Sequence, residues 1–311
     1  MSKFGSFLIR RICWIIVTLW IVYTLSFILM RSVPGGPFDS ERKLPKDIQK
    51  NIEAKYNLDQ PILVQYFDHL GGVVFHADFG PSFKMADFTV NEVIAQGFPV
   101  SASMGIFALT FAVLLGTTAG VVSAIRRHTA LDASFMAAAT LGIAVPNFVL
   151  ASLAIVVFVF QLRIFPAAGW GSITQLILPA LCLGAPYAGY IARLTRTGML
   201  EVLGSDYIRT AYAKGLNERR VVLRHALRGA LLPVVSYLGP ATAGILTGSL
   251  VLEQLFAIPG MGSHFVEAAL QLDYTLALGV VMVYTVLLLV MNTLVDLSYA
   301  VIDPRVKIEK L

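Results

Sequence analysis

Apolar residues in this chain come in long blocks rather than in alternation with polar ones. Six blocks stand out, at about 10–30, 99–125, 134–160, 174–194, 231–253 and 275–301. At a rise of about 1.5 Å per residue, each can cross a hydrocarbon core roughly 30 Å thick as a helix. The pattern predicts an all-α membrane protein with six transmembrane helices. Span two carries Gly116 and Gly120 four residues apart, the spacing that lets two helix backbones approach in lipid. Span three carries Gly142 and Pro146, and span four carries Pro179, Gly184, Pro186 and Gly189. Broken helices are tolerated where neighbours or a cavity satisfy the freed backbone groups. Two readings stay open for these breaks, a translocation path and kinked packing.

Between the first two spans lies a long polar stretch. Residues 31–98 hold nine acids and seven bases. Helical spacing at Ile48, Ile52 and Tyr56, and turn-rich pieces such as "VPGGP" and "ADFGPSF", predict a small ordered cap. The expected organisation is an N-terminal transmembrane helix at 1–30, an extracytoplasmic loop or cap at 31–94, a membrane domain at 95–303 and a cytoplasmic tail at 304–311. The first block follows Lys3, Arg10 and Arg11 and so resembles a signal peptide. Its apolar part is about 19 residues, longer than a typical h-region, and "MRSVPGGPF" beyond it offers no A-x-A-like cleavage site. A retained anchor is expected.

Composition supports the membrane reading. The chain is 57% hydrophobic and 14% charged, against about 25% charged in a soluble domain. The net charge of +5 does not point to nucleic acid, because the charges are sorted by position. With the N-terminus inside, sixteen of the 24 Lys and Arg residues fall in inner segments. Seven of the others lie in the long first loop, where the bias carries little information, and one is Arg163. Both termini are expected to be cytoplasmic. Cys13 and Cys182 lie inside apolar blocks and imply no disulfide framework.

Catalytic patterns are absent from the sequence. It has no G-x-x-x-x-G-K-[ST], no H-E-x-x-H, no G-x-S-x-G and no paired Cys/His spacing. Asp296 is the acid that falls inside a predicted span. An intramembrane acid is a candidate polar site; a paired, assembly-stabilising carboxylate is the other reading. An intramembrane enzyme would need a second catalytic group beside it. A secondary transporter would normally show inverted repeats and more intramembrane charge.

One inner segment has unusual internal order. "SDYIRTAYAKGLNERRVVLRHALRGALLP", Ser205 to Pro233, sets Arg209, Lys214, Arg219, Arg220, Arg224 and Arg228 against only Asp206 and Glu218. Ser205 is placed to cap a helix, Asp206 suits its first turn, and Gly215 suits the left-handed position after its end. Asp206–Lys214 is then a helix of about nine residues, marginal alone in water. Thr210, Ala211 and Ala213 give it little bulk, and Tyr207, Ile208 and Tyr212 give it apolar knobs. Asn217 caps a second helix. Such an elbow fits a protein partner; a basic loop lying on anionic lipid is the alternative.

This elbow resembles the cytoplasmic coupling loop of binding-protein-dependent ABC importer permeases, in the form found in the dipeptide, oligopeptide and nickel group. Where general members show Glu-Ala-Ala, this chain has Arg209-Thr210-Ala211, and Pro233 lies eighteen residues beyond Gly215. That departure is usual for the group, whereas Tyr212 stands where Arg is often found. "LIRRI", "VPGGPF", "YNLDQPILVQYF", "ADFGPSF", "FPVSASMGIFAL", "VLEQLFAIPGMG" and "DLSYAVIDPRV" resemble the group's successive landmarks, so the likeness covers the whole chain. "ERKLPKDIQKNIEAKY" and "ADFGPSFKMADFTVNEVI" resemble the oligopeptide branch in particular; dipeptides, nickel or another small solute are the alternatives.

The resemblance implies a type I ABC importer transmembrane fold in a bacterial inner membrane. It implies a second, homologous permease subunit, two cytoplasmic ATPases holding ATP and magnesium, and an extracytoplasmic peptide-binding protein. It implies no catalysis and no cofactor in this chain. By the same resemblance, Ser205, Asp206, Tyr207, Ile208, Arg209, Thr210, Ala211, Ala213, Lys214 and Gly215 form the helix that couples to an ATPase. From the residues themselves, "EQLFAIPGMG" is a candidate outer gate. Pro259, Gly260 and Gly262 force a turn beside Glu253 and the apolar Phe256, and an ordinary connecting loop is the alternative.

Overall fold

The computed structural model describes residues 3–33, 57–85, 87–246 and 250–302. The Ile48, Ile52 and Tyr56 pattern lies outside the described residues. Twelve helical segments can be followed among those described, with one isolated bridge, Pro81 to Thr89, as the only extended pairing. In chain order they are α1 (Lys3–Ser32), α2 (62–76), α3 (Val90–Ile125), α4 (Ala130–Ala144), α5 (Asn147–Gln161), α6 (Ile173–Leu203), α7 (Asp206–Ala213), α8 (Glu218–Ala230), α9 (Leu232–Leu246), α10 (Leu250–Leu255), α11 (Met261–Gln271) and α12 (Tyr274–Ile302).

Four helices are by themselves long and apolar enough to cross a membrane: α1, α3, α6 and α12. The count reaches the expected six if two bent pairs each form one span. These are α4 with α5, bent by 112°, and α8 with α9, bent by 54°. The break in the first pair falls where Pro146 forces Val145 into an extended conformation (φ −87°, ψ 126°). Span four, in contrast, continues as one helix through Pro179 and Pro186. Its start is closed by a capping box, Ser172 with Gln175.

The chain forms two compact units. The first comprises Met1–Val100 and Pro259–Leu287. One of its cores gathers Val90, Val93, Met261, Ala268, Leu276, Ala277 and Val280, and another gathers Tyr23, Phe27, Leu278 and Met282. Asp273, 1% exposed, caps α12 by accepting from the Leu276 amide at 3.2 Å. It also accepts from the Ser82 hydroxyl and from the Lys84 amide at 3.3 Å. The same carboxylate thus starts a helix and pins the 82–84 turn.

The second unit comprises Ser101–Ile258 and Leu288–Leu311. Here α6 is the central helix, with α4, α5, α8 and α9 packed on it. The remainder of α3 joins it at the paired glycines: a Cβ on Gly116 would lie 2.7 Å from the Ala188 carbonyl oxygen, and one on Gly120 2.6 Å from that of Ala192. The predicted small-residue contact is therefore made, backbone against backbone.

Candidate functional site

The elbow begins where α6 stops. α7 runs Asp206–Ala213, eight residues, with Lys214 as its C-cap. Its end is a Schellman motif. Gly215 adopts φ +78°, its amide donates to the Tyr212 carbonyl at 2.9 Å, and the Leu216 amide reaches back to the Ala211 carbonyl at 3.3 Å. Asn217 then caps α8, its side chain accepting from the Arg220 amide at 2.9 Å. Ser205 holds the N-cap position, but its hydroxyl donates backwards to the Val202 carbonyl at 2.6 Å and makes no cap bond.

Two residues anchor α7 to its own chain. Ile208 and Ala211, three apart and so on one face, are buried in a cluster with Ala124, Met199, Val221, Val222, Ala226 and Ala230. Ile208 is thus an inward anchor rather than an outward knob. The outward face carries Asp206, Tyr207, Arg209, Thr210, Tyr212, Ala213 and Lys214, all exposed. Tyr207 at 52% and Tyr212 at 45% exposure present apolar ring surface beside cationic side chains. Asp206 and Arg209 approach at 3.4 Å, but both are solvent-exposed, so the pair contributes little. The result is a short helix, closed at its C-terminal end and seated by two buried residues, with an exposed amphipathic face.

Close by in the same unit is a polar staple that sequence reasoning missed. Asp132 accepts from Arg196 Nε at 2.8 Å and from Nη2 at 2.8 Å. It also accepts from the Ser123 hydroxyl and from the His128 amide at 3.0 Å. This bidentate pair ties the α3–α4 turn to α6. Thr129 and Asp132 form a T-x-x-D capping pattern at the start of α4, the local signal that was available. Nothing local marks Arg196 as the partner.

The candidate outer gate starts on α10. Glu253 is fully buried (0% exposed), and the Ser101 hydroxyl donates to its Oε1 at 2.8 Å. The chain then turns through Ala257, whose φ is +48°. The Ile258 amide donates to the Glu253 carbonyl at 2.9 Å, and the Gly169 amide donates to the Phe256 carbonyl at 2.9 Å. Phe256 is buried. Gly260 is the N-cap of α11, with Gly262 in its buried first turn, and Pro259 is exposed. Asp296 lies on α12, but its side chain is outside the described residues.

The chain matches the family model described as the binding-protein-dependent transport system inner membrane component over residues 116–308. The N-terminal model of the same transport components matches over 4–105. It is 48% identical over 304 residues to the oligopeptide transport system permease protein OppB of Escherichia coli (strain K12), covering 97% of this chain and 99% of that protein. It is 46% identical over 306 residues to the dipeptide transport system permease protein DppB of Bacillus subtilis (strain 168), covering 98% and 99%. Among solved structures, the MetNI methionine ABC transporter in inward-facing conformations matches with a TM-score of 0.55 at 16% identity, over 68% of this chain and 97% of that one. An amino acid ABC transporter crystallised with histidines matches with a TM-score of 0.52 at 15% identity, over 67% and 93%. At such identities the structures speak for a shared fold.

Proposed function

The chain belongs to the family of binding-protein-dependent transport system inner membrane components, and from that premise we propose that it is the membrane-spanning subunit of an ATP-driven oligopeptide importer. It is a multi-pass inner-membrane protein with the type I ABC importer transmembrane fold. In the proposed complex it stands beside a second, homologous permease subunit. Two ATPases bind ATP and magnesium on the cytoplasmic side, and an extracytoplasmic binding protein delivers peptide. This chain forms half of the path and hydrolyses nothing.

The observation that carries the reading is α7. An eight-residue helix, closed by a Schellman motif and held by Ile208 and Ala211, leaves a face with Tyr207, Arg209, Tyr212 and Lys214 exposed. An ATPase groove that receives this face can push on α6 and α8 through the buried cluster beneath it. Nucleotide-driven closure then becomes movement of the spans. The segment Glu253–Gly262 is read as the outer gate, with buried Phe256 as its plug and the Ser101–Glu253 bond as its hinge support.

Peptide rather than another solute follows from the named relatives, which are oligopeptide and dipeptide permeases over nearly their full length. The test is reconstitution of the complex with its binding protein in liposomes. ATP-dependent uptake of labelled tetra- and pentapeptides is expected. Uptake of dipeptides alone would move the assignment to the dipeptide branch, and ATP hydrolysis by the isolated chain at the rate of the complex would overturn the division of labour.

A further inference from the structure

The first unit contains a cavity of ≈ 300 Å³ whose wall is richer in charge than its size suggests. Arg31, in the last turn of α1, projects into it. Its guanidinium carbon lies 5.3 Å from the centroid of the Phe27 ring and 5.3 Å from that of Tyr274. An aromatic ring attracts the cation without supplying a lone-pair acceptor for its N–H donors. Among the described residues those donors have neither an ion pair nor a hydrogen bond. Asp68 and Asp78, both exposed, line the same cavity and form no ion pair with Arg31 among the described residues. Asp78 uses Oδ1 to accept from the Gly80 amide at 2.9 Å.

Two uncharged groups of the polar wall have defined partners. Gln65 is 9% exposed. Its Nε2 donates to the Leu58 carbonyl at 3.1 Å and to the Gln60 carbonyl at 2.7 Å. Two carbonyl acceptors fix the orientation of the amide, and Oε1 is left as a buried acceptor with no partner among the described residues. His69 Nε2 lies 3.1 Å from the Phe79 carbonyl, which can only accept, so Nδ1 is the acceptor for the Tyr23 hydroxyl at 2.9 Å. Burial pushes the His69 pKa down, so the ring is neutral and the charge pattern is set by Arg31 and the two aspartates.

An apolar occupant would leave the guanidinium edge unmatched in a half-buried site. A phosphate dianion would face two carboxylates of its own sign. A cation held apart from two anions across a small cavity matches a ligand with the opposite arrangement. We propose that this cavity binds a small zwitterion, an amino acid or dipeptide, with its α-carboxylate on the edge of Arg31 and its α-ammonium toward Asp68 and Asp78. The volume lies at the lower end of small-molecule sites and excludes longer peptides from lying wholly within it.

The test uses the full-length chain in lipid nanodiscs and calorimetric titration with L-alanyl-L-alanine, its C-terminal amide and its N-acetylated form. Binding needs no transport, so the result is separate from that of the uptake assay. The free dipeptide is expected to bind, and each blocked form to bind at least about tenfold more weakly, the effect of one lost charge-assisted bond. Arg31→Gln is expected to abolish the discrimination against the amide. The double variant Asp68→Asn/Asp78→Asn, which keeps an acceptor for the Gly80 amide, is expected to abolish the discrimination against the acetylated form. Equal binding of all three ligands, or no binding by wild type with a normal unfolding midpoint, overturns the proposal. So does unchanged discrimination in either variant, which would place the dipeptide elsewhere. If Arg31→Gln fails to fold, the aspartate variant decides.

Discussion

Gly215 carries the sharpest consequence at the level of single residues. Its φ of +78° is in the left-handed region, and nothing lies within 4 Å of where its Cβ would be. A substitution there meets no clash, so its effect is purely one of backbone conformation. A residue with a Cβ loses about 1–2 kcal/mol in that region, and a β-branched one fares worst. The eight residues of α7 have no stability to spare. Gly215→Val should therefore misdirect the exit of α7 while leaving the amount of protein in the membrane near normal. Peptide uptake and binding-protein-stimulated ATP hydrolysis are expected to fall by at least about tenfold. Asn tolerates the left-handed region, so Gly215→Asn should keep most activity, and Arg219→Ala, which leaves the cap intact, should do the same. Equal damage from Arg219→Ala and Gly215→Val would identify the elbow as a basic lipid patch. The glycine was legible in the sequence because few residues can follow a helix in that conformation. The fate of Ser205 was not: α6 ends at Leu203, two residues earlier, and the Val202 carbonyl, which accepts from the Ser205 amide at 3.0 Å, captures the hydroxyl as well.

Among helices, contact distance decides which glycines matter. A Cβ on Gly120 would lie 2.6 Å from the Ala192 carbonyl oxygen and 2.6 Å from Thr195 Cβ, both on a helix that cannot yield locally. Gly120→Ala should therefore force α3 away from α6, an overpacking strain of about 1–3 kcal/mol. Thermal unfolding of the detergent-solubilised chain is expected to show a clearly lower midpoint. Gly71→Ala is the control, since nothing lies within 4 Å of its Cβ position and its backbone is helical; its midpoint should match wild type or rise slightly. A normal midpoint for Gly120→Ala would mean that the helices part at no cost. The Gly-x-x-x-Gly spacing made this contact legible. The kinks were less so, because prolines in spans three and four look alike in sequence and behave differently. Pro146 ends a helix, with Val145 extended before it. Pro179 and Pro186 sit in a helix flanked by α4, α5, α8 and α9, and those neighbours hold its course where Pro removes a hydrogen bond.

On the scale of the whole chain, hydropathy showed the spans and the resemblance showed the family, but pairings between distant positions stayed hidden. Asp132 and Arg196 are 64 residues apart, Ser101 and Glu253 152 apart, and no local pattern joins either pair. At this scale the sequence supports an expectation of orientation: with the N-terminus inside, sixteen of 24 basic residues fall in inner segments. The proposed coupling depends on it, since α7 could meet a cytoplasmic ATPase only from that side. With Cys13 and Cys182 replaced by alanine, single cysteines can be placed at four exposed positions: Asp87, Arg127, Ala168 and Arg219. In right-side-out vesicles, a membrane-impermeant maleimide should label Asp87→Cys and Ala168→Cys. It should leave Arg127→Cys and Arg219→Cys unlabelled until the vesicles are opened. Exposure of all four side chains removes burial as a reason for silence, so the pattern reports sidedness alone. The inverse pattern would put the elbow outside and end its role in coupling. A mixed pattern, with Ala168→Cys silent beside a labelled Asp87→Cys, would show that the α4–α5 pair, bent by 112°, re-enters from one side instead of crossing, and the chain would then have one span fewer than its hydropathy predicts.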